Sequence, residues 1–123
     1  MLTSSSETNT MKQIQAYIKP HKLSSVTRAF HRIEGLTGVS VSDVKGFGRG
    51  RAKDVAHSFR EDLVDYVAYV KIETVVQDEL VNEVIQVIQR EAHTGLRGDG
   101  KIYVSPIHDA VRISSGERGT DAI

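Results

Sequence analysis

The chain has 123 residues, 39% of them hydrophobic and 26% charged, with sixteen basic and sixteen acidic side chains. That size suits one domain around a single core, and a formal charge of zero gives no electrostatic case for nucleic acid. The absence of cysteine excludes disulfides, thiolate zinc sites and a cysteine nucleophile, and no apolar run approaches the ~18 residues of a membrane-spanning helix.

Residues 1–10, MLTSSSETNT, are polar and lack the basic and apolar regions of a signal peptide. They read as a disordered tail, with Met11 as the functional start of the fold and residues 11–123 as its single domain. Over 13–19, Ile14, Ala16 and Ile18 alternate with Gln15 and Tyr17, the period of a half-buried strand, and Pro20 ends it. Leu23, Val26, Phe30 and Ile33 recur at helical spacing, with Gly35 and Gly38 as the stop. Residues 39–45 form a second strand in which Val44 falls out of phase with Val39 and Val41, predicting a bulge or a change of partner there.

The stretch 46–62, GFGRGRAKDVAHSFRED, has no period. A third strand runs over about 63–76, with Val64, Tyr66, Ala68, Val70, Ile72 and Val76 on one face. Asp78 suits the N-cap of a second helix carrying Leu80, Val81, Val84, Val87 and Ile88 inward, with Gly95 as its stop. Gly98 and Gly100 flank a turn into a fourth strand that contains Ile102 and Val104, and the segment from Ser114 is polar. The order strand, helix, strand, strand, helix, strand is the α+β, ferredoxin-like βαββαβ sandwich. Its halves look faintly duplicated, because Ile18, Leu23 and Val26 are spaced like Val76, Val81 and Val84.

Two features do not suit a monomer. The connection between strands two and three far exceeds the ~2–5 residues of a hairpin. The third strand also carries Val67 and Val75 on the sheet face that no helix covers, which predicts oligomerisation through that face.

Three stretches could carry chemistry. Gly46, Gly48, Arg49, Gly50 and Arg51 combine exposed backbone with phosphate-suited arginines, although glycine with arginine in a loop is more often a solvated flexible hinge. The run Thr94–Gly95–Leu96–Arg97–Gly98–Asp99–Gly100–Lys101 can form an anion cradle or an ordinary helix-to-strand turn, and it is no Walker loop. Arg112 could reach a phosphate or lie in a frayed terminus. His21, His31, His57, His93 and His108 show no helical metal-ligand spacing, and nothing nominates a nucleophile or an acid–base pair.

Taken together, these segments resemble the PII family of nitrogen and carbon signalling proteins. The residues that carry the likeness are Tyr17–Ile18–Lys19–Pro20 with Lys22–Leu23, Val44–Lys45–Gly46–Phe47–Gly48–Arg49, Val70–Lys71–Ile72–Glu73, Thr94–Gly95 with 98–102, and Val111–Arg112–Ile113 with Ser115–Gly116–Glu117. The resemblance implies a homotrimer with adenine nucleotide (ATP, ADP or AMP) in clefts between subunits. It also implies a long loop that addresses a membrane transporter or a metabolic enzyme. By position, Gly46, Gly48 and Arg49 would lie near the phosphates, Gly98, Asp99, Gly100 and Lys101 would hold them, and Arg112 would reach across from a neighbour. Ser40, Glu73 and Val75 would line the base pocket. Gly50, Arg51, Lys53, His57, Ser58, Arg60 and Asp62 fall in the effector and partner loop. The resemblance allows magnesium as an accompanying ion.

Departures from the family pattern carry their own expectations. Gly50 stands for a glutamine and Tyr69 for a lysine used in 2-oxoglutarate binding, so that dicarboxylate should bind weakly or not at all by the usual route. Asp62 stands for a modifiable tyrosine. Ser114 stands for a second phosphate-reaching arginine, which favours ADP or AMP over ATP. GRGRAKD and HTGLRGDGKIYVSP look similar to an atypical PII-like branch linked to inorganic-carbon uptake or heavy-metal efflux, where bicarbonate could sit near Arg49 or Arg51. The leading reading is a cytoplasmic, non-catalytic regulator in nitrogen or inorganic-carbon metabolism. The alternatives are a metal-responsive trimer and, less well matched, an acylphosphatase-like enzyme, since the only asparagine of the folded region is Asn82.

Overall fold

The alternation that opens the fold puts Ile14, Ala16 and Ile18 on the buried side of β1 (Met11–Ile18) and leaves Gln13, Gln15 and Tyr17 on the other. The computed structural model describes residues 10–46 and 67–123; all but the last residue of the 1–10 tail, and positions 63–66 of the predicted third strand, lie outside them. A 3₁₀ turn, Pro20–Lys22, leads into α1 (Leu23–Phe30). β2 (Ser40–Gly46) and β3 (Val67–Gln77) follow, then a second 3₁₀ turn, Asp78–Leu80, α2 (Val81–Ala92) and β4 (Gly100–Ile107).

The strands form one antiparallel sheet in the order β2-β3-β1-β4, the split arrangement expected for βαββαβ. Residues opposite each other in an antiparallel ladder share a face. Ile14, Ala16 and Ile18 therefore join Val70, Ile72 and Val76 beneath the two helices, which contribute Val26, Ala29 and Phe30 from α1 and Val84, Val87 and Ile88 from α2. A buried valine or isoleucine stabilises by roughly 1.5–3 kcal/mol, so this layer dominates the fold. Thr74 is the one polar residue in it among those described; its hydroxyl donates to the Gly38 carbonyl at 2.6 Å and so pins the approach to β2 against β3.

The structure departs from the sequence reading at the element ends. α1 stops at Phe30 rather than near Gly35, because Arg32 and Ile33 donate to carbonyls three residues back and tighten the last turn. Ile33 stays buried in that turn. Asp78 does not cap α2: it opens the 3₁₀ turn, and its carboxylate takes Lys12 Nζ at 2.7 Å. α2 ends at Ala92, three residues before Gly95. No bulge occurs at Val44, since the β2–β3 register runs unbroken from Ser40↔Glu73 to Gly46↔Val67. The faint duplication is structural: Ile18, a 3₁₀ turn, Leu23 and the fully buried Val26 recur as Val76, a 3₁₀ turn, Val81 and the fully buried Val84. The helix-free face is more polar than expected. Gln13, Gln15, Lys71 and Glu73 lie at its centre, with Val67 and Val75 half-buried among them.

Candidate functional site

The register fixes which residues meet at the carboxyl end of β1. Ile18 faces Val70 on one side and Gly100 on the other, so Lys19, the start of β3 and the turn between α2 and β4 converge there. The turn is built on Asp99. Its Oδ2 accepts from the backbone N–H of Thr94 at 2.9 Å and of Gly95 at 3.3 Å, and its Oδ1 takes the Thr94 hydroxyl and lies 3.3 Å from Lys19 Nζ. Lys19 Nζ also donates to Thr94 Oγ1 at 3.2 Å, and that oxygen accepts from Leu96 N at 3.0 Å. The Thr94 hydroxyl, then the Thr94 N–H, then Lys19 and the Gly95 N–H stabilise the carboxylate against partial burial, and they hold it far below the usual carboxylate range.

The glycines answer to this geometry. Gly100 has φ +107°, and a Cβ there would lie 1.6 Å from the Tyr17 carbonyl oxygen, so no side chain fits. Gly98, at φ +78°, leaves bare backbone beside the Tyr69 hydroxyl and the Lys19 stem. Lys101 follows on the open face opposite Tyr17, whose ring meets Tyr103 edge-on at 6.1 Å. Between this turn and the end of α2 is a cleft of about 340 Å³ lined by Ile88, His93, Asp99 and Lys101 among others.

The other candidate residues lie elsewhere. Ser40 pairs with Glu73 across β2 and β3, and Val75 shares their face. Glu73 accepts from Gln15 Nε2 at 2.8 Å. Gly46 ends β2 at the same end of the sheet as Gly98 and Gly100, but on the opposite edge. Three strand spacings of ~4.8 Å separate those edges, roughly 14 Å. Arg112 sits beyond β4 with its guanidinium 3.2 Å from Glu117 and its amide donating to the Glu117 carbonyl at 2.9 Å. Gly48, Arg49, Gly50, Arg51, Lys53, His57, Ser58, Arg60 and Asp62 lie outside the described residues.

One chain thus keeps the turn at 98–101 apart from Gly46 across the sheet and from the Ser40–Glu73 pair at the far end of β2. The sequence reading placed Asp99 among phosphate-holding residues; the structure shows a carboxylate turned to its own backbone and to Lys19. Thr94, which organises it, opened the predicted cradle run without a role of its own, and Lys19 was not among the predicted site residues. The spacing of Thr94 and Asp99 around glycines is the available signal, since short polar side chains at such turns bind nearby backbone N–H groups. Among the described residues no group of three or more histidine, aspartate or glutamate side chains could hold a metal, and no helix is long and apolar enough to cross a membrane.

Comparison with known proteins bears on these features together. The family profile described as "Nitrogen regulatory protein P-II" matches residues 11–117. The Nitrogen regulatory protein P-II of Azospirillum brasilense is 48% identical over 113 residues, and that of Rhodospirillum rubrum 50%; each alignment covers 92% of this chain and the whole relative. The crystal structure of Arabidopsis thaliana PII bound to citrate superposes with a TM-score of 0.74 at 36% identity, covering 94% of both chains. The chain belongs to the nitrogen regulatory protein P-II family, whose members are non-catalytic signal-transduction proteins.

Proposed function

We propose that this protein is a nucleotide-sensing regulator of nitrogen metabolism that acts as a homotrimer, with an adenine nucleotide clasped between neighbouring protomers. The observation that carries this reading is the division of the candidate residues between opposite sheet edges. The bare, Asp99-braced turn at 98–101 with Lys101 sits on one edge, and Ser40 and Gly46 on the other. A second protomer brings such halves together where one chain cannot. Apolar surface supports the same assembly: Ile113 is 98% exposed and Val111 53% in the single chain, a state that a protein interface relieves.

In this reading the N–H groups around Gly98 and Gly100, with Lys101, take the phosphates. Arg112 of the neighbour exchanges its exposed Glu117 partner for phosphate, and Ser40, Glu73 and Val75 face the base. Each charge-assisted hydrogen bond contributes ~1.5–3 kcal/mol, so a few of them give micromolar binding. Ser114 in place of a second arginine removes one such bond, about 10- to 100-fold in affinity, and tilts the site toward ADP or AMP. Tyr69 and Gly50 supply neither the ammonium nor the amide that 2-oxoglutarate would need, and Asp62 cannot be uridylylated. The loop 46–62 addresses a membrane transporter or metabolic enzyme in the cytoplasm through a nucleotide-dependent population shift. The nitrogen name of the relatives favours nitrogen over the inorganic-carbon and metal-efflux readings, which rest on loop composition alone.

Light scattering and isothermal titration test this. The expected result is a particle three times the chain mass that binds ADP at micromolar concentration, gains thermal stability with it, and shows no such affinity for 2-oxoglutarate with ATP and magnesium. A stable lone subunit, or indifference to AMP, ADP and ATP, refutes the reading.

A further inference from the structure

Tyr69 has a place in the structure that its replacement of a lysine does not foretell. It lies on the open face of β3, one step past the Ile18↔Val70 pair, beside Lys19. Its ring crosses the end of β1 toward the turn on the far edge, two strand spacings or ~10 Å away. A Cβ built on Gly98 would lie 3.5 Å from the Tyr69 hydroxyl and 4.0 Å from Lys19 Cε. A hydroxyl, a lysine stem and side-chain-free backbone thus converge on one point.

The polar groups there differ in commitment. Lys19 Nζ is engaged by Asp99 and Thr94, and the Asp99 carboxylate by Thr94 N, Gly95 N and Lys19. No hydrogen bond to another described residue occupies the Tyr69 hydroxyl. A tyrosine hydroxyl is both donor and acceptor, and a half-exposed one beside open backbone suits a ligand rich in acceptor oxygens. The ring also stiffens the donor, because two χ angles fix its position.

We infer that Tyr69 is a specificity-determining residue of the nucleotide site, its hydroxyl donating to a phosphate oxygen held at the Gly98 backbone. This rests on the proposal above that the turn takes the phosphates. A neutral donor on an anionic oxygen is stronger than a neutral pair, yet it adds no charge, so it retains a phosphate chain without demanding the full charge of a triphosphate.

The test is isothermal titration of ADP into the wild-type protein and Tyr69→Phe, with urea unfolding midpoints for both. Phenylalanine keeps the ring and its packing and removes only the oxygen. The expected result is ADP binding weakened ~10-fold at an unchanged midpoint. Affinity within twofold of wild type overturns the inference and leaves the nucleotide reading standing. Weaker binding accompanied by a lower midpoint also overturns it, since the hydroxyl would then serve the fold. A wild-type protein that binds neither ADP nor ATP overturns both.

Discussion

Gly100→Ala is the sharpest probe of how the turn is built. The added Cβ would sit 1.6 Å from the Tyr17 carbonyl oxygen and 2.7 Å from its carbon, and Gly100 holds φ +107°. Restoring van der Waals separation requires β4 to part from β1 by roughly 1.5 Å at this end, since real Cβ contacts below 3.0 Å essentially do not occur. That movement loosens the Ile18↔Gly100 and Tyr17↔Lys101 pairs. Backbone strain costs ~1–3 kcal/mol, and two ladder hydrogen bonds ~0.5–1.5 kcal/mol each. The lower entropy of the unfolded alanine chain offsets ~0.4–1 kcal/mol. The net loss is about 2–4 kcal/mol, roughly 10 °C in melting temperature. Urea denaturation at fixed protomer concentration measures it. Two controls separate the causes. Gly116, at φ +78° with nothing within 4 Å of a built Cβ, carries strain alone, so Gly116→Ala should cost about 1 kcal/mol. Among the described residues Gly46 has neither strain nor a neighbour within 4 Å, so Gly46→Ala should be near neutral. If Gly100→Ala costs no more than Gly116→Ala, the contact with Tyr17 does not set the turn and the reasoning fails.

Asp99→Asn keeps the size of the side chain but sets an amide donor against a donor, Thr94 N–H or Lys19, and leaves Lys19 without its counter-ion. Unfolding midpoints should fall by the equivalent of ~1–3 kcal/mol, and titration should show ADP binding at least ~10-fold weaker; unchanged values in both would remove Asp99 from the account. The pH dependence has a definite sign. The folded Asp99 carboxyl titrates far below its ordinary 3.8, so its stabilisation is complete above that value and is lost only as pH falls from there through the folded value. The stability gap between wild type and Asp99→Asn, followed by urea titration from about pH 7 to pH 3, should therefore be flat at first and narrow only below about pH 4; narrowing between pH 7 and 5 would contradict the assignment. Thr74→Val removes the hydroxyl that holds Gly38 while keeping the buried shape. Because Gly38 is exposed, water can replace the donor. The cost should be about 1 kcal/mol, with faster amide exchange confined to the start of β2; uniform acceleration across the sheet would point to a different role for Thr74.

What was legible in the sequence followed from periodicity. The alternation of Ile14, Ala16 and Ile18 and the spacing of Val84, Val87 and Ile88 each report burial on one face, and burial is what builds the sheet and α2. Element ends were less legible because they depend on partners distant in sequence. Asp78 has a good capping side chain, but Lys12, 66 residues away, claims it. The misphased Val44 suggested a bulge, whereas an edge strand tolerates an apolar residue on its open face without breaking register. At the site, the glycines and lysine of 98–101 were visible as a cradle, but the orientation of Asp99 was not. It is decided by Thr94 five residues earlier and by Lys19 just past the end of β1. The gap between Gly46 and Gly98 was invisible for the same reason, since only the strand order reveals that they sit on opposite edges.

The internal repeat explains why the candidate site residues fall where they do. Both halves contain a strand, a 3₁₀ turn and a helix whose first buried valine is Val26 or Val84. Those repeated parts are fixed by packing and have little freedom to vary. The halves diverge after their helices. α1 leads through a tightened turn and Gly35, packed on Leu80, to the β2 edge with Ser40; α2 leads through the Asp99-braced glycines to the β4 edge with Lys101. A duplicated core thus delivers two dissimilar connections to opposite rims of one sheet. Among the described residues neither connection contains a complete anion site, and the proposed function brings one protomer's β2 rim against another's β4 rim. Dissociating the assembly should therefore abolish nucleotide binding before it unfolds the core. Titration of ADP across a dilution series, read beside circular dichroism, would show that order, and full ADP affinity in a dilute, folded monomer would break the argument.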